Sequence, residues 1–134
     1  MPKYIPLVVE PDIRSSLSNL LDFRWEPNAV RATFIIPGEP DAVLEVSFAS
    51  PCIVRILDEM PLLTEIDDSP KEGLVPDHFA YRVEGALFFR VQSEAFKGMF
   101  KARTCSHYRF ITGWGCLDVV TGAEPQFKVV SDPS

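Results

Sequence analysis

Apolar residues recur along this chain in short runs of strand length, separated by proline and glycine. Ala29 to Ile36 (AVRATFII) is rich in β-branched and aromatic residues. Ala42 to Ala49 (AVLEVSFA) sets Leu44, Val46 and Phe48 against Val43, Glu45 and Ser47 in strict alternation, which predicts a strand with one buried face. The turn sequence PGEPD joins the two. Cys52 to Leu57 (CIVRIL) reads as the third strand of a meander, with Ile53, Arg55 and Leu57 opposite Cys52, Val54 and Ile56. Upstream, Ile5 to Val9 reads as a further strand. Pro11-Asp12 then offers a helix start, and Ile13, Leu17, Leu20 and Leu21 follow near helical spacing.

The second half carries a denser pattern. Phe79 to Val83 (FAYRV), the dipeptide Glu84-Gly85 and Ala86 to Gln92 (ALFFRVQ) read as strand, turn and strand. Ser93 is a helix cap with Glu94 in the first turn, and Phe96, Met99 and Phe100 then share one helical face. His107 to Thr112, the turn Gly113-Trp114-Gly115 and Cys116 to Val120 read as a hairpin, and Phe127 to Val130 as an edge strand. The expected class is α+β: one domain over residues 1–134, a mostly antiparallel meandering sheet with one or two short helices packed on it. The expected core is Val46, Phe48, Val54, Ile56, Leu87, Phe89, Phe96, Phe100, Phe110, Leu117 and Val119.

Composition narrows the class of protein. Apolar residues make up 46% and ten phenylalanines are present, enough for a packed core and too many for a disordered chain. No apolar run approaches the ~20 residues that cross a bilayer as a helix. The opening MPKYIPLVVEPDIR is interrupted by Pro6 and lacks the features of a secretory signal. Cys52, Cys105 and Cys116 are an odd, sparse set, so the expectation is a cytoplasmic protein with unpaired thiols.

Charge is distributed unevenly. Asp58, Glu59, Glu65, Asp67, Asp68, Glu72 and Asp77 face only Lys71 within one stretch, a net of 7 − 1 = 6 negative. The whole chain holds 19 acids and 13 bases, so 12 of each remain elsewhere and the net charge of −6 is local. A concentrated charge makes a directional field that steers partners of opposite sign. It argues against nucleic acid, which needs a basic face, and against anionic membranes. Proline and glycine at Pro61, Pro70, Gly73 and Pro76 make this stretch a loop. Trp114, at a turn tip, is a candidate interface anchor, since Trp is enriched at binding hot spots. From Arg90 to Arg109 five bases oppose Glu94, which would let copies of the chain associate head to tail.

The run ALFFRVQSEAFKGMF followed by HYRFITGWGCLDVVTGAEPQF resembles a pattern in small bacterial proteins. The residues that carry it are Leu87 to Val91, Ser93, Phe96, Phe100, His107, Tyr108, Asp118, Val119, Val120 and Pro125, so it covers the chain from Ala86 onward. Such proteins are similar in size and charge to bacterial immunity proteins, which bind and silence a cognate toxin. The resemblance implies a non-catalytic binding domain with a basic protein partner, and it brings no catalytic residues.

Other chemistry finds weaker footing. Asp58-Glu59 and Asp67-Asp68 are adjacent pairs without calcium-loop spacing. Cys105, His107 and Cys116 lack the paired spacing and fourth ligand of a zinc site, and no metal or other cofactor is expected. A small enzyme or ligand-binding protein would use a pocket near His78 or His107, but no nucleophile motif accompanies either. The leading expectation is therefore a protein-binding domain that captures a basic partner through Asp58 to Asp77 and Trp114.

Overall fold

A computed structural model describes residues 3–10, 12–49, 52–58, 73, 75, 77–84 and 106–131, without the side chains at 52, 57 and 58. Its strands are β1 (Lys3–Pro6), β2 (Leu20–Trp25), β3 (Ala29–Ile35), β4 (Ala42–Ala49), β5 (Cys52–Asp58), β6 (Ala80–Glu84), β7 (Ser106–Ile111), β8 (Gly115–Thr121) and β9 (Gln126–Ser131). Among the described residues these form a sheet in the order β1-β6-β7-β8-β5 and a second in the order β2-β3-β4-β9. Every pairing is antiparallel.

Alternation turns one face of each sheet inward. β3 contributes Val30, Ala32 and Phe34, and β4 contributes Leu44, Val46 and Phe48, all buried. The facing sheet contributes Ala80, Tyr108, Phe110, Leu117 and Val119 to the same core. Phe110 lies at the centre of an aromatic cluster. Its ring is 5.9 Å from Phe34, 5.6 Å from Phe79, 6.1 Å from Phe48 and 6.3 Å from Phe127, centroid to centroid. Two sheets closing on one core make a β-sandwich.

The α+β expectation is overturned: the regular structure of the described residues is nearly all β. Its helical residues are a single 3₁₀ turn, Ser15–Leu17. The helix expected from Ile13 to Leu21 is absent. Ile13 plugs the core, while Leu17 and Leu21 are 53% and 50% exposed, the reverse of a buried helical stripe. The cause is the polar residues between them. Ser18 donates its hydroxyl to the Ile35 carbonyl and the Asn19 carbonyl accepts from the Ile35 amide, so this segment bonds to β3 instead of to itself.

The meander fails at its third strand. β4 already has β3 on one edge and β9 on the other, so β5 joins β8 in the opposite sheet. β6 likewise lies between β1 and β7, so its neighbours come from distant parts of the chain. The β7–β8 hairpin and the edge strand near the C-terminal end form as expected. Val46, Phe48, Phe110, Leu117 and Val119 are buried, and Val54 packs against them. Ile56 is 51% exposed, on the strand that ends this sheet among the described residues. Leu87, Phe89, Phe96 and Phe100, with the aromatic helix, lie outside the described residues. No helix among the described residues is long and apolar enough to cross a membrane.

Phe110→Ala should cost about 3–5 kcal/mol in denaturant unfolding, since a central ring would leave a cavity. Ile56→Ala should cost below ~1 kcal/mol, as expected for a half-exposed position. Equal losses at the two positions would contradict this placement of the core.

Candidate functional site

Three of the residues singled out from the sequence meet at one end of the sandwich. Asp58, the last residue of β5, pairs with Gly115 at the start of β8. Trp114 precedes Gly115 and is 66% exposed. Thr112 fixes this turn, because its hydroxyl donates to the Gly115 carbonyl and accepts from the Gly115 amide. Gly113 lies directly on the Ser15–Leu17 turn, where a Cβ at 113 would be 2.9 Å from the Ser16 carbonyl oxygen. The glycine beside Trp114 is therefore demanded by close backbone approach.

Asp77 grips the other side of the same turn. Its carboxylate accepts from the Ser16 amide at 2.7 Å, from Arg14 Nε at 2.7 Å and from the Ser15 hydroxyl at 3.0 Å. The Ser16 amide first, then the Arg14 guanidinium, hold this carboxyl well below the usual carboxylate range. Asp77 has a φ of 58°, a left-handed conformation that Asp tolerates better than most residues. Asp77 is thus a capping ligand with its charge answered inside the molecule. Glu59, Glu65, Asp67, Asp68 and Glu72 lie outside the described residues. With Arg14 set against Asp77, the sequence from 58 to 72 keeps six acids against Lys71.

The opposite face of the five-stranded sheet holds a charged group that no motif announces. Arg55, Asp118 and Arg109 stand side by side on β5, β8 and β7. Asp118 is fully buried, and Arg109 is 4% exposed. Arg55 donates to Asp118 Oδ2 at 2.7 and 3.1 Å, and Arg109 Nε donates to Oδ1 at 2.7 Å. His107 Nε2 reaches the same Oδ1 at 2.6 Å, and Arg109 Nη1 donates to the Tyr4 hydroxyl at 2.6 Å. The sequence did contain a signal. Alternation through SHYRFI and GCLDVV puts His107, Arg109 and Asp118 on one face, where three charged or ionisable residues need one another.

Electrostatics here is a contest between burial and neighbours. Burial pushes the Asp118 pKa up, but the His107 hydrogen bond and the Arg109 charge outweigh it and hold the carboxyl well below its ordinary range. Burial would lower Arg109, and Asp118 reverses that. For His107 burial wins: its pKa falls although Asp118 is beside it, with Arg109 and Arg55 adding to the fall. A neutral imidazole bonded to an ionised carboxylate carries its proton on Nε2.

This arrangement suits support better than acid–base chemistry. Cys116 is buried, with Sγ 3.8 Å from Asp118 Oδ2, while the His107 Nε2 is directed at that same carboxylate. His78 is engaged elsewhere, with Nε2 3.0 Å from the Leu7 carbonyl and its ring 5.0 Å from that of Tyr81. Among the described residues no three His, Cys, Asp or Glu side chains gather as metal ligands. Arg109, counted in the basic stretch of the sequence, is interior and adds nothing to a basic surface.

Asp118→Ala should cost about 3–5 kcal/mol, because two guanidinium groups would lose their buried counter-charge. The pH dependence has a definite sign. His107 is depressed from 6.5, so its contribution is complete above that value and falls as pH drops through it. Asp118 is depressed from 3.8, so its contribution is lost only in stronger acid. Unfolding free energy should decline as pH falls from about 7 to 5, and His107→Gln should flatten that decline. A steeper decline in the variant would contradict the assignment.

Comparison of the chain with family models, with curated proteins and with solved structures finds no match.

Proposed function

We propose that this chain is a non-catalytic protein-binding domain that captures a basic partner in the manner of an immunity protein. One observation carries the reading: both flanks of the acidic segment border the turn that presents Trp114. Asp58 pairs beside it through Gly115, and Asp77 and Gly113 both contact Ser16. Asp58 and Asp77, which bound the acidic segment, therefore both lie at the end of the sandwich that carries an exposed indole.

The two features have separate tasks. The segment's excess of acids over bases would raise the rate of encounter with a cationic surface, by about 10–10³-fold at low salt. A large aromatic that becomes buried on contact slows dissociation. Arginines of the sandwich each meet an acid among the described residues. Arg31 binds Glu26 and Glu45, Arg24 binds Asp22, and Arg55 and Arg109 bind Asp118. Asp77 takes no part in steering, since Arg14 already offsets it.

Immobilised protein should retain basic proteins from a lysate of its source organism, and raised salt should release them. Changing Glu65, Asp67, Asp68 and Glu72 together to Gln or Asn should abolish capture while the fold survives. Trp114→Ala should accelerate dissociation about tenfold or more, as at a hot spot. Undiminished capture of the same proteins by the neutralised variant would refute the reading.

A further inference from the structure

The end of the sandwich opposite Trp114 carries concave surface among the described residues. Two cavities, of ≈730 and ≈290 Å³, adjoin there and share Arg82, Tyr108 and Glu124. Small-molecule sites commonly span about 300–1,000 Å³. The strand register explains why the rim is polar. Ala80 and Phe110 face each other inside the core, and the next pair on that face is Arg82 with Tyr108. Beyond them Ser106 lines the larger cavity, while Leu7, Pro125 and Phe127 line the smaller.

Three groups line both cavities. Arg82 Nη1 meets Glu84 at 3.1 Å, but the side chains are 35% and 53% exposed, and such a pair is worth only ~0–1 kcal/mol. Glu124, on the loop between β8 and β9, is exposed and forms no salt bridge among the described residues. Tyr108 is buried, with its ring 5.5 Å from Phe48. Burial raises its pKa and a hydrogen bond with the Ser106 side chain opposes that; Glu124 then adds to the rise and Arg82 opposes it, so both charges are felt at one hydroxyl.

We propose that this rim is a binding site for a small zwitterion with an apolar side chain, the chemistry shared by free amino acids and short peptides. Arg82 would take the carboxylate through its planar fork of donors, and Glu124 the ammonium. Tyr108 would hydrogen-bond between them. The apolar side chain would lie against Leu7 and Phe127. A ligand of one charge would engage only Arg82 or only Glu124, which favours the zwitterion over simple anions or cations. Because β7 and β8 run from this rim to the Trp114 turn, the site is separate from the surface proposed for a protein partner.

Calorimetric titration with L-leucine and with L-leucyl-L-leucine tests this, and the tighter of the two identifies the source. Leucinamide lacks the carboxylate and N-acetyl-leucine lacks the ammonium, so each should bind at least about tenfold more weakly than leucine. Arg82→Gln should erase the preference for leucine over leucinamide only. Glu124→Gln should erase the preference over N-acetyl-leucine only. Circular dichroism reports folding, and if Arg82→Gln fails to fold, the Glu124 arm still decides, because that side chain lies on an exposed loop. Absence of saturable binding of both ligands up to about 10 mM, or equal affinity for the blocked analogues, would overturn the proposal.

Discussion

A single carboxylate, that of Asp118, holds together strands that lie far apart in sequence. A charge removed from water is tolerated only when it is paired and hydrogen-bonded. Here Arg55 answers from β5, Arg109 and His107 from β7, and Arg109 passes the connection on to Tyr4 in β1. The pairing fixes register as well as contact. A slip of one residue would turn Asp118 toward Phe110 and the apolar core and take its partners to the other face. The five-stranded sheet therefore has an electrostatic face and a hydrophobic one, each constraining the same alignment.

The two proposed binding surfaces lie at opposite ends of the sandwich. At one end the Ser15–Leu17 turn is caught between Asp77 and Gly113, which fixes the base from which Trp114 projects. At the other end the inward face of β6 and β7 runs out of apolar residues and finishes in Arg82, Tyr108 and Ser106. The same period-two alternation that builds the core thus places polar groups at its rim.

Local patterns were legible in the sequence, and long-range pairing was not. Alternation in AVLEVSFA and the hairpin of β7 and β8 could be read because both depend on neighbouring residues. The partner of β5 could not, because it depends on β9 arriving from the far end of the chain to occupy β4. The false helix at Ile13 to Leu21 arose from helical spacing alone, and the serines that bond to β3 and Asp77 decided against it. Of the candidate site, Trp114 kept its exposed place, whereas Asp77 proved to be a cap, since its partners Arg14 and Ser16 lie more than sixty residues away. Arg55 and His107 were noticed singly; only strand register unites them on Asp118.

The most direct test of this account is the ionisation of Asp118, followed by the NMR shift of its side-chain carboxyl carbon as pH is lowered. If the Arg55–Asp118–Arg109 row holds the sheet, that signal will stay in its ionised position throughout the range in which the protein remains folded, changing only with acid unfolding. A titration near the ordinary Asp value of ~3.9 in a protein that keeps its fold would contradict the account.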